Sequence, residues 1–268
     1  MARYRRSFES GHRGFTLLEL LVAMAVLSIL TVLLINVVST TSQMWGMGER
    51  HNQTRAKSRA LLDFVGRELK EAVLARDSSK DSLQFVINQN SLGSDFANRD
   101  NIFWQSPIAT EASQGDLAEI GYFVQWISGR PTLCRFFVNP SETNHLIYTQ
   151  PTAWLSENLV KSVAPADKAD QYKGLFLENI LGLWVHAYQA DGTPYAGNSR
   201  LTQKLPSTVE ISIVAIDDAT SQHLDPYVST IQALYGKSTA EDFLAALPGV
   251  IREGAVVSSV TVSLENTK

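Results

Sequence analysis

The chain contains a single cysteine, Cys134, so no intrachain disulfide can staple it. Lying in an apolar, strand-like run, that thiol reads as a small buried side chain rather than a reactive one. The chain also has no excess of positive charge. Lys and Arg number 23 against 27 Asp and Glu, a formal net charge of −4. A nucleic-acid surface should be basic, so no nucleic-acid partner is expected. The five histidines, His12, His51, His145, His186 and His223, show no ligand spacing such as H-x-x-x-H, and no metal site is expected from them. Gly236-Lys237-Ser238-Thr239 imitates the end of a phosphate-binding loop, but that motif needs a glycine where Ile231 stands and a strand before it. The preceding Thr230–Tyr235 reads as helix, which makes Gly236 a helix C-cap. Asp217-Asp218 offers a carboxylate pair for calcium, or the start of a helix, where the helix dipole favours acids; the second is expected. No catalytic residue and no cofactor is therefore expected, and the chain does not read as an enzyme.

What the chain does have is a long apolar run near its start. From Phe15 to Val38 the only charge is Glu19, and these residues make roughly 36 Å of helix, enough to cross a hydrocarbon core of about 30 Å. Before the run stand Arg3, Arg5, Arg6 and Arg13 against one acid, Glu9. That asymmetry places the N-terminus in the cytoplasm and the rest of the chain across the membrane. A secretory signal would have a shorter apolar region, of about 7–15 residues, followed by an A-x-A-like site. Here the run gives way to Val38-Ser39-Thr40-Thr41-Ser42. A plain membrane anchor fits the length but leaves Glu19 unexplained, since a carboxylate costs on the order of 2.5–3.5 kcal/mol at the centre of a membrane helix and less near its end.

The stretch GFTLLELLVAMAVLSIL resembles the N-terminal signal of type IV prepilins and of the pseudopilins of type II secretion systems. The resemblance implies that a prepilin peptidase cuts between Gly14 and Phe15 and methylates the new amine of Phe15. Glu19 then becomes the fifth residue of the mature chain, where the family carries its glutamate. Staggered helices in an assembly would bring one subunit's amine to a neighbour's Glu19, and a charge pair in low dielectric is strong. Many major pilins have a proline where this chain has Asn36, so the pilin kink is not expected there. Gly46 and Gly48, each costing about 1 kcal/mol in a helix interior, mark a weaker zone, in which Met44, Trp45 and Met47 suit a membrane interface or a short linker. Loss of residues 1–14 would remove four arginines and one glutamate and leave 19 basic and 26 acidic residues.

Beyond the glycines, Leu61, Phe64, Val65, Leu69, Ala72 and Val73 recur at three-and-four spacing, with Arg59, Asp63, Arg67, Lys70 and Glu71 between them, as in a helix packed on a core. The expected organisation is a basic leader at 1–14, a transmembrane helix at 15–38, its amphipathic continuation at 39–76, and a head at 77–268. Strands are expected at 83–87, 118–126, 133–138, 181–188, 207–216 and 254–264, with a hairpin around Gly129. Helices are expected at 219–235 and 239–251, as an insertion before the last strand. Long loops are expected at 88–110 and 141–170. The fold class is α+β: a long N-terminal helix packed on an antiparallel sheet. This order is similar to that of J-type minor pseudopilins, and Val209–Ala219 is similar to a prepilin-like protein C family of verrucomicrobial gene cassettes. The resemblance implies a minor subunit of a type II secretion pseudopilus, made in the inner membrane with its head in the periplasm. Its partners would be the prepilin peptidase, other pilins or pseudopilins, and an inner-membrane assembly platform. A minor type IV pilin, or a membrane-anchored periplasmic enzyme or binding module, remains open.

Overall fold

The computed structural model describes residues 16–74, 84–88, 100–111, 115–147, 149–150, 154–156, 160, 169–170, 173–197 and 204–264. Helix α1 runs from Leu17 to Lys70, 54 residues without a break. It passes through Gly46 and Gly48, so the expected weak zone is helical. The C-terminal end, expected near residue 76, comes at Lys70, where the Glu71 and Ala72 amides fall back on the carbonyls of Glu68 and Leu69 in a tighter turn. Two compact units divide the chain between Glu49 and Arg50. In the first, every large apolar side chain from Leu17 to Val38 is at least half exposed. In the second, Leu61, Leu62, Val65 and Leu69 are buried.

The second unit contains two antiparallel sheets. One is built from β1 (Val86–Ile87), β2 (Asn101–Ser106), β3 (Ala118–Ile127), β4 (Arg130–Val138), β5 (Ala169–Asp170) and β6 (Lys173–Glu178), in the order β1-β2-β3-β4-β6-β5. The other is β7 (Ile180–Tyr188), β8 (Thr208–Ile216) and β9 (Ala255–Ser263), in that order. Antiparallel pairing and the α+β class follow the sequence expectation, but the single expected sheet is two. The chain passes from one to the other at Asn179, the lone residue between β6 and β7, which takes φ 65°.

The hairpin around Gly129 is present. Ile127 pairs with Arg130, and the two loop residues, Ser128 (φ 50°) and Gly129 (φ 77°), are both left-handed, as a type I′ turn requires. Strands β2, β5 and β6 were not expected, and the proposed loops at 88–110 and 141–170 therefore contain strand. The reason for β2 is burial on both sides: all six residues of Asn101–Ser106 are buried, so no polar alternation shows in the sequence.

Each sheet packs on both faces, the second only in part on its outer one, where Ser259, Thr261 and Ser263 of β9 are exposed. The inner faces share one core with α1, in which Leu62 and Val65 join Ile120 and Leu133 of the first sheet and Leu183 and Ile211 of the second. On the outer face of the first sheet, Phe103, Phe123 and Phe136 are covered by Ile147, Trp154 and Val160. On the outer face of the second, Leu181, Trp184 and Val214 are covered by Ile231, Tyr235, Phe243 and Ile251 of the insertion. That insertion lies where expected but is broken into short pieces: α2 (Asp218–Ser221), α3 (Val228–Ala233), α4 (Ala240–Ala246) and α5 (Gly249–Arg252), with 3-10 turns at Asp225–Tyr227 and Leu234–Gly236. Gly236 closes the second turn without a left-handed φ, so it is not the C-cap of the expected kind.

Candidate functional site

Gly14 and Phe15, the expected processing site, lie outside the described residues. Glu19 lies in the first turn of α1, where Thr16 and Glu19 cap the helix reciprocally. The Thr16 amide donates to Glu19 Oε2 at 3.0 Å, the Thr16 hydroxyl donates to the same oxygen at 3.1 Å, and the Glu19 amide donates to Thr16 Oγ1 at 3.2 Å. This is a capping box, whose T-x-x-E spacing is visible in the sequence. Both carboxylate bonds fall on Oε2, and among the described residues Oε1 has no partner. Leu18, Val22, Val26 and Leu30 make an open apolar face beside it. The hydroxyls of Ser28, Thr31, Thr40 and Thr41 each donate to the carbonyl four residues back, at 2.8–2.9 Å. That keeps their polarity inside a helix long and apolar enough to cross a membrane.

Farther along α1, Glu68 is buried against the first sheet. Arg135 of β4 donates from Nε to Glu68 Oε2 at 3.2 Å and from Nη2 to Oε1, and the Tyr122 hydroxyl of β3 donates to Oε2. The Arg135 guanidinium lies over the Phe137 ring, 4.3 Å from its centroid. Burial, with the Glu68 charge beside it, holds the Tyr122 hydroxyl protonated far above its ordinary range. Sequence reasoning missed this group because Glu68 stands among the charged residues of an amphipathic helix. The available signal was Arg135, a lone charge inside Leu133–Val138.

A second buried carboxyl is Glu119 of β3. Its Oε1 accepts the amides of Leu146 (3.1 Å) and Ile147 (2.8 Å), while Oε2 has no partner among the described residues. Burial pushes its pKa up to about 8, against the pull of the two amides. Cys134 is buried as expected, and burial pushes its thiol up to about 12. Asp217 begins a helix as expected, its side chain accepting the Thr220 amide at 2.7 Å. Among the described residues, no group of three or more His, Cys, Asp or Glu is arranged to hold a metal ion.

The second unit also contains a cleft of about 480 Å³ between α1, the β6–β7 joint and the end of β8. Its floor is apolar, with Phe176, Leu177, Ile180 and Ile216. Its rim carries two ion pairs longer than hydrogen bonds, Arg50 Nε to Asp217 Oδ2 at 3.7 Å and Lys57 Nζ to Asp218 Oδ2 at 4.0 Å. Ser58 and Asn179 line it, and Ser58 Oγ and Asn179 Oδ1 are buried without a hydrogen-bond partner among the described residues. An unsatisfied buried polar group costs about 1–3 kcal/mol. Asn179 adds a left-handed backbone, which costs a non-glycine residue about 1–3 kcal/mol.

The prokaryotic N-terminal methylation motif matches residues 10–35, a stretch that includes Gly14, Phe15 and Glu19. No curated protein matches the chain. Among solved structures it is similar to a type IV-like pilin from Thermus thermophilus, at 14% identity and TM-score 0.39, over 79% of this chain and 97% of that one. The chain therefore carries a prokaryotic N-terminal methylation motif on a long apolar helix, and its second unit is α+β with two antiparallel sheets.

Proposed function

We infer that this chain is a structural, minor subunit of a type II secretion pseudopilus rather than an enzyme. A prepilin peptidase cuts it between Gly14 and Phe15 and methylates the amine of Phe15. It waits in the inner membrane with its N-terminus cytoplasmic and its head periplasmic. An inner-membrane platform then packs its helix against those of other pilins or pseudopilins.

The observation that carries this reading is the one charge in the apolar run from Phe15 to Val38, an acid placed in the first turn of α1 within the methylation motif. Thr16 occupies Oε2 of Glu19 from within the same helix, and Oε1 is left for a donor from outside. The methylated amine of a staggered neighbour is such a donor. Only one stagger pairs both charges, so the pair acts as an assembly register.

Mass spectrometry of the N-terminal peptide from the native membrane tests the reading. A chain that begins at N-methylated Phe15 is expected. One that begins at Met1, or is cut near Ser39, would overturn it and leave an anchored or secreted protein.

A further inference from the structure

The geometry points to the cleft beside Asn179 as a docking site for an extended peptide segment, with an apolar side chain on the floor and one residue's backbone N–H and C=O held by Asn179 and Ser58. The amide orientation of Asn179 is settled by its neighbour. Its Nδ2 donates to Asp218 Oδ1 at 2.8 Å, and a carboxylate can only accept, so the unpartnered atom is the carbonyl oxygen Oδ1. That oxygen needs an N–H. The Ser58 hydroxyl, also unpartnered, can donate to a carbonyl. An extended residue presents its own N–H and C=O on the same side of the chain, so one such residue offers both.

The charges at the rim select against other ligands. Arg50 and Lys57 are each matched by an acid, Asp217 and Asp218, so the rim offers no surplus cation for a phosphate. Asp217 and Asp218 are faced by cations, and with Glu178, the third acid lining the cleft, they form no group arranged to hold a metal ion among the described residues. A neutral backbone with an apolar side chain suits Phe176, Leu177, Ile180 and Ile216. A volume of about 480 Å³ holds a short peptide segment rather than a whole element. Ser58 Oγ and Asn179 Oδ1 are closed to solvent, so docking requires rim side chains to move. The side chains of Arg50 and Lys57 are 47% and 61% exposed and held only by long ion pairs, and can do so. The inference does not depend on filament assembly, since an anchored binding module would use the same cleft.

The test uses the full-length chain in detergent, with isoleucine methyl groups observed by NMR. N-acetyl-leucine N′-methylamide is the probe, and its fully N-methylated analogue, which has the same apolar body without an N–H, is the comparison. Saturable shifts are expected at Ile180 and Ile216, with Ile147, under the other sheet, unmoved. The N-methylated compound should bind at least tenfold more weakly. So should the Asn179→Gly variant, which loses Oδ1 yet adopts φ 65° without strain and therefore stays folded. No saturable shift, or equal binding of both compounds, would overturn the inference; equal binding would define an apolar slot that does not recognise an amide.

Discussion

Glu119 shows how burial, with a smaller push from the nearby Glu142 charge, can reset a carboxyl group. Its pKa of about 8 lies well above the ordinary 4.5 because the side chain is enclosed, and two amide donors only partly offset that. For an acid raised on folding, the folded state binds the extra proton, so stability falls as pH rises between the two values. His145, whose pKa is lowered by burial, acts in the opposite direction, but only below about 6.5. From pH 6.5 to 8 the Glu119 contribution should therefore show, costing about 2 kcal/mol. Thermal midpoints of the solubilised chain should drop across that range, and Glu119→Gln should flatten the drop. Parallel slopes in the two proteins would refute the assignment. Nothing in Ala118-Glu119-Ile120 announces this, because an acid in a strand reads as solvent-facing until the segment that covers it is known.

Helix α1 and the first sheet are held together by different chemistry at different points. Leu61, Leu62, Val65 and Leu69 supply non-directional burial, which their spacing in the sequence largely foretells. The bidentate Arg135–Glu68 pair and the Tyr122 hydroxyl add direction, fixing the rotation of the helix over β3 and β4. Removing one partner strands the other charge, so Glu68→Ala should destabilise the head by about 3–5 kcal/mol. Replacing both, as Glu68→Leu with Arg135→Met, should restore most of that. Denaturation of the two variants, scored as a cycle with the Arg135→Met single change, measures the coupling; additive losses would contradict it. Strands β3, β4, β7, β8 and β9 were legible because their runs are long and bounded by turn residues. Strand β2 was not, since six consecutive buried residues erase the alternation on which such a reading depends. The short pieces of the insertion, read as two longer helices, follow from the same limit: Pro226 and Pro248 interrupt helical hydrogen bonding at points that an apolar pattern does not mark.

For the protein as a subunit, the proposed assembly turns on a side chain that the head does not need. Glu19→Ala should leave the fold of residues 50–264 unchanged, since Glu19 lies in the other compact unit. It should nevertheless abolish co-assembly with related subunits, scored by co-purification of crosslinked complexes from the membrane, while N-terminal processing continues. Unchanged co-assembly would remove the register role and favour a plain anchor. The sequence by itself determined what local chemistry dictates: the apolar helix up to Val38, the acid in its first turn, the hairpin around Gly129, and the helix start at Asp217. These depend on residues near one another in the chain. The division into two sheets at Asn179, the Glu68–Arg135 pair, the protonated Glu119 and the cleft lined by Ser58 and Asn179 were decided only by tertiary structure. Each brings together residues far apart in sequence, and burial, which sets their energies, is a property of the packed neighbourhood rather than of the residue.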